Sequence, residues 1–169
     1  MRKKLKKKKY TSKFLTISIA VIIIGIAIFY FYSADQAKNR GFVFGNEIAA
    51  LQQDIQYEQG QFISNIAKWN ENAISDDEMI RMGEEHLDIF NELLNKYDKL
   101  QPPDTFSRSV KLFKLSLEYQ IESHEHRLIW IKNGSDSEFI RSQELTQLSF
   151  EAEQAGLKSF NDAKAGIEQ

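Results

Sequence analysis

The chain has 169 residues, 22 Lys or Arg, 24 Asp or Glu and no Cys, a length that admits one modest domain beside an anchor. The missing Cys excludes disulfides, thiolate metal sites and thiol chemistry. The net charge of -2 hides an asymmetry: eight basic residues fall in the first thirteen, leaving fourteen Lys or Arg against twenty-four acids, about ten units negative, which disfavours nucleic acid as a partner of the remainder.

Residues 1–13 form a basic tail: Arg2, Lys3, Lys4, Lys6, Lys7, Lys8, Lys9 and Lys13, with no acid. The run Phe14–Tyr32 follows, nineteen positions without a formal charge. As a helix it is roughly 28 Å long, close to the thickness of a hydrocarbon core. Its β-branched residues would suit a strand in water, but a lone strand cannot satisfy its backbone in lipid. The expectation is a transmembrane signal-anchor helix over 14–34. Tyr10, Tyr30 and Tyr32 suit the two interfaces, and the basic tail orients the N-terminus to the cytoplasm. A cleaved signal peptide would have a shorter apolar core and a small residue where Tyr32 stands. The localisation that follows is a single-pass cell-membrane protein with its C-terminal domain extracytoplasmic and the lipid bilayer as a partner.

Residues 35–44 read as a juxtamembrane segment. Gly41 and Gly45 can mark a bend before the domain, and a continuous helix through the segment is the other course left open, since nothing here is a strong stop. A first external helix is expected over about 45–72, with an apolar stripe of Phe44, Ile48, Leu51, Ile55, Phe62, Ile66 and Trp69. A second is expected over 75–100. Ser75 to Glu78 is a capping box, and Ile74 can staple against Met79. Its seam reads Ile80, Gly83, Leu87, Phe90, Leu94 and Tyr97, widened by Ile89, Leu93 and Leu100.

Pro102-Pro103 ends that helix, and Asp104 is the expected N-cap of a third over 104–132. Phe106, Val110, Phe113, Leu117, Ile121, Leu128 and Ile131 mark its inner side, with His124 on the same track. Leu112, Leu115 and Trp130 form a flank suited to a second contact. Asn133-Gly134 stops the helix. Ser135 and Glu138 form another capping box before a fourth helix over 135–164, carried inward by Phe139, Leu145, Leu148, Ala152, Gly156, Phe160 and Ala163. Residues 165–169 are expected to fray. The fold class is therefore all-α: an N-terminal transmembrane helix followed by an antiparallel up-down-up-down four-helix bundle over 45–164.

Chemistry is sparse. Glu118, Glu122, Glu125 and His126 share overlapping turns and are candidate divalent-metal ligands, with Glu84, Glu85 and His86 beside them on the second helix. The Glu-x-x-His pairs of a ferritin-like di-metal bundle are absent, as is His-Glu-x-x-His. No cofactor and no metal are expected, and the preferred reading of the same side chains is a solvated face. His124, on the inner track, is the candidate pH-sensitive or ligand residue. Asn133-Gly134-Ser135 matches a glycosylation acceptor at Asn133. No nucleophile elbow, phosphate loop or catalytic acid pair appears, so no enzyme is expected. The reading is an extracytoplasmic interaction, accessory or sensor-like module with a protein partner or self-association. A bundle binding a small ligand or metal is the alternative.

Overall fold

The computed structural model describes the backbone of residues 4–168 and the side chains of residue 36 and residues 38–166. Among the described residues the protein is all-helical, with no strand. The helices are α1 (Lys4–Asn70), α2 (Asp76–Lys99), α3 (Ser107–Asn133) and α4 (Asp136–Glu168), with a 3-10 turn, Asp104–Phe106, before α3. The chain divides into two compact units, Met1–Arg40 and Gly41–Gln169.

The first unit holds the opening part of α1. The side chains of the Phe14–Tyr32 run and of the basic tail lie outside the described residues. Among the described residues no helix is long and apolar enough to cross a membrane.

The second unit is a four-helix bundle. Of the two courses left open by the sequence near residue 45, α1 takes the continuous one and runs through Gly41 and Gly45. A glycine in a helix costs only about 1 kcal/mol, which neighbouring turns offset. From Phe44 the predicted stripe faces inward: Phe44, Ile48, Leu51, Ile55 and Phe62 are buried, and Ile66 and Trp69 half-buried. Most of these join Phe90, Leu93, Tyr97, Phe106, Phe113 and Leu117 in the main core. A smaller core gathers Phe62, Met79, Leu128 and Ile131.

The α1–α2 turn uses Asn72 in a left-handed conformation (φ 58°), one that Asn tolerates better than most residues. Ser75 then caps α2, its Oγ accepting from the Glu78 backbone N–H at 3.2 Å. Met79 is fully buried with Ile74 packed against its cluster, so the staple forms as well. The seam of α2 is rotated from the predicted one. Its buried line is Met79, Gly83, His86, Phe90, Leu93 and Tyr97, while Ile80, Leu87 and Leu94 flank it and Ile89 is exposed. Both lines run at alternating three and four spacing, and only the polar His86 hid the true one.

Two caps differ from expectation. Asp104 opens the 3-10 turn without a side-chain cap, and α3 starts three residues later. At α4, Ser135 offers its carbonyl, not its hydroxyl, to the N–H groups of Glu138 and Phe139. Its hydroxyl pairs with Ser137. Gly134 ends α3 in the left-handed region (φ 69°), its N–H bonded to the Trp130 carbonyl at 2.7 Å. Helix α4 stays helical to Glu168, past the expected fraying point.

The predicted α3 track is buried throughout, His124 included. The α3–α4 interface differs in chemistry from the rest. Ser109, Ser116 and Ser123 recur every seven residues on α3 and are all buried; Ser142 and Ser149 do the same on α4. Ser116 Oγ donates to the Ser149 carbonyl at 3.0 Å, and Ser123 Oγ to the Ser142 carbonyl at 2.8 Å. Ala152, Gly156 and Ala163 extend the small-residue line. Small side chains let the backbones approach, and the hydroxyls satisfy one another across the seam. Leu148, expected inside, is exposed, and Phe139 and Phe160 are half-buried. On the predicted flank, Trp130 stands edge-on to Trp69, packs on Phe139 and is half-buried, as is Leu112, while Leu115 is exposed.

Candidate functional site

Where the two cores meet, the bundle buries two histidines. The α2 register sends His86 inward between Gly83 and Phe90, and the α3 track sends His124 to meet it. Nε2 of His86 lies 3.2 Å from Nδ1 of His124. Phe62 of α1 stacks on both imidazoles, its centroid 4.7 Å from His86 and 4.0 Å from His124. Phe90 closes another side, 4.2 Å from His86 and 5.6 Å from His124.

This setting fixes the protonation state. The rings are buried and the walls are aromatic, so the charged form loses solvation without gaining a carboxylate. Burial pulls His86 down from 6.5 to about 4. His124 falls to about 3, first through burial, then through His86 and the Arg127 guanidinium. Both are neutral at pH 7. One nitrogen of the contact donates and the other accepts. Nδ1 of His86 is buried without a hydrogen-bond partner. If His86 donates from Nε2, that orphan is a lone pair, whereas the reverse arrangement would strand an N–H, the rarer defect. His86 donating to His124 is therefore the preferred tautomer pair.

The pair has a second imidazole and two phenyl rings as neighbours, and no carboxylate or hydroxyl hydrogen-bonds to either ring among the described residues. It is built to be neutral and to resist protonation. Sequence reasoning placed His124 on the inner track but grouped His86 with the carboxylates Glu84 and Glu85. Those two carboxylates are exposed, on the far side of α2. The missed signal is the line 79-83-86-90-93-97, visible only when a polar residue is allowed into a core position.

The candidate metal ligands are each otherwise engaged or apart. Glu118 lies 3.8 Å from Lys114, and Glu122 accepts from Arg141 at 2.9 Å. His126 pairs through Nδ1 with Glu138 of α4, with Glu122 3.9 Å from its other nitrogen. Glu125 is exposed. Among the described residues no group of three or more His, Asp or Glu is arranged to hold a metal ion. Asn133 is the exposed last residue of α3, and its Oδ1 accepts from the Ser135 N–H at 2.9 Å, bracing the turn. The chain matches no family model, no curated protein and no solved structure.

Proposed function

We propose that this chain is a single-pass membrane protein whose helical bundle stands outside the membrane as an interaction or sensor-like module, not as an enzyme. One observation carries the reading: eight basic residues, then nineteen without a formal charge, then a remainder about ten units negative. That order orients an anchor with its N-terminus in the cytoplasm. The exposed Phe42 and Val43, each 66% accessible, suit a position near the membrane interface. The buried polar groups favour a structural core over a reactive one. The hydroxyls at the α3–α4 seam are bonded to each other or to carbonyls, and the imidazoles meet each other.

The test combines alkaline carbonate extraction with protease treatment of sealed cells. The protein is expected to stay with the membrane and residues 34–169 to be digested from outside. Release into the carbonate wash, or protection of that region, overturns the reading. Crosslinking in intact membranes then identifies the partner. Recovery of only the monomer across several crosslinker chemistries counts against the interaction role.

A further inference from the structure

Between α1 and α4 the bundle wall opens into a cleft of about 200 Å³. Its floor is apolar: Phe113 and Leu117 of α3 and Ile55 of α1, all buried. Three polar groups stand round that floor from three helices. They are the amides of Gln59 on α1 and Gln120 on α3, and the carboxylate of Glu153 on α4. The Oε1 atoms of Gln59 and Gln120 are buried and have no hydrogen-bond partner. An orphaned buried acceptor costs about 1–3 kcal/mol, and here two of them line one cleft.

Of the other polar groups at the site, Gln56 is exposed and the rest are committed elsewhere. Gln52 donates to the Tyr97 hydroxyl, and Ser116 is bonded to Ser149. Among the described residues no Lys, Arg or His lines the cleft. The chemistry on offer is therefore two amides, each with an unpaired carbonyl oxygen, and one negative charge above a hydrocarbon floor. An anion can pair with the amide N–H groups, but it is repelled by the carboxylate and leaves both carbonyl oxygens unsatisfied. A neutral hydroxyl satisfies one acceptor and leaves the charge unmatched. A primary ammonium carries three N–H donors and a positive charge, which matches the set. The cleft is smaller than the roughly 300–1,000 Å³ of a drug-sized pocket, so its ligand is fragment-sized. Ile63, 57% exposed, also lines the cleft, and the exposed Phe150 and Leu157 lie one turn either side of Glu153 on α4.

We propose that the α1–α4 cleft is a binding site for a small primary amine with an apolar alkyl or aryl body, its ammonium held by Gln59, Gln120 and Glu153. The site goes beyond the membrane reading and does not rest on it.

The probe is 2-phenylethylamine, titrated calorimetrically into the full chain in detergent micelles near neutral pH. Two companions have similar bodies: 2-phenylethanol without the charge, and 3-phenylpropanoate with the opposite one. Saturable binding of the amine is expected, weaker by about tenfold or more in the alcohol and absent in the carboxylate. Glu153→Gln keeps the shape of the site and removes its charge, and it is expected to weaken the amine by about tenfold. Gln120→Leu is expected to weaken it too. If that variant loses its helical circular dichroism, Glu153→Gln alone decides. No saturable binding at millimolar amine, equal binding of amine and alcohol, or an unchanged affinity in Glu153→Gln overturns the assignment. Partition of the amine into the micelles would give equal heats in both proteins, which is the last of these outcomes.

Discussion

Nε2 of His86 and Nδ1 of His124 meet at 3.2 Å beneath the face of Phe62, joining α2 to α3 through one polar contact and α1 to both through ring stacking. An apolar pair could fill that space with no directional demand. The imidazole contact forms in one register only, which ties the rotation of α2 to that of α3. The same contact makes the core sensitive to acid.

The sign of that sensitivity follows from proton binding. Both folded-state values are depressed, from 6.5 to about 4 for His86 and about 3 for His124. The unfolded chain therefore binds more protons below pH 6.5, and stability falls as pH falls. The loss starts near the unfolded value and continues toward the folded ones, at up to about 1.4 kcal/mol per pH unit for each histidine. Urea denaturation at about pH 7.5 and about pH 5 is expected to show this drop. In His86→Leu/His124→Leu the slope should flatten, with stability at pH 7.5 changed little, since removing both partners leaves no orphan. Equal slopes in the two proteins would refute the assignment.

Two glycines should respond in opposite directions to alanine. A Cβ at Gly156 would come within 2.8 Å of the buried Phe113 ring, which must shift to admit it. Gly156→Ala is expected to destabilise by about 1–2 kcal/mol after the gain in helix propensity is counted. At Gly60, inside α1, nothing lies within 4 Å of the added carbon. Gly60→Ala should stabilise by up to about 1 kcal/mol. Melting temperatures of the two variants check the contrast.

The serine seam should tolerate loss better than gain. Ser116→Ala removes the hydrogen bond to the Ser149 carbonyl and is expected to cost about 0.5–1.5 kcal/mol. Ser149→Leu puts a branched side chain where only a hydroxyl fits, at a residue 3% exposed. It should cost about 1–3 kcal/mol or more by forcing α3 and α4 apart. Denaturant midpoints that rank the two variants the other way would show that the helices are not closely seated there.

Ser75 is the one N-cap whose side chain is engaged as its sequence suggested. Ser75→Ala is expected to cost about 1 kcal/mol. Ser135→Ala, at a position where the carbonyl serves instead, should cost less. Thermal denaturation of the pair separates the two kinds of start.

The legible part of this fold was the apolar part. The α3 track from Phe106 to Ile131 and the α1 stripe from Phe44 to Phe62 follow from 3.6-residue periodicity, because large apolar side chains have no comparable alternative to the core. The illegible part was polar. Ser109, Ser116, Ser123, Ser142 and Ser149 are buried because each can satisfy its hydroxyl locally or across the seam, and composition treats serine as a surface residue. His86 was misplaced for the same reason, and with it the rotation of α2. The cleft amides of Gln59 and Gln120 lie sixty-one positions apart, so nothing local in the sequence joins them. Helix starts were read by residue type, which cannot distinguish the Ser75 hydroxyl from the Ser135 carbonyl as acceptor.

The short turn at Gly134 has a consequence for how the chain assembles in time. Helices α3 and α4 are joined by two residues and make the most extensive helix-to-helix contact in the bundle. Their association closes the smallest loop and is therefore the fastest tertiary step to expect. During synthesis α1 emerges long before that hairpin exists. Phe44, Ile48, Leu51 and Ile55 then wait for their core partners on α2 and α3, which are made later. A holding chaperone on the nascent chain would cover that interval. Pulsed hydrogen exchange during refolding gives the order directly: α3 and α4 amides should be protected first, and early protection of residues 44–66 would reverse the sequence of events.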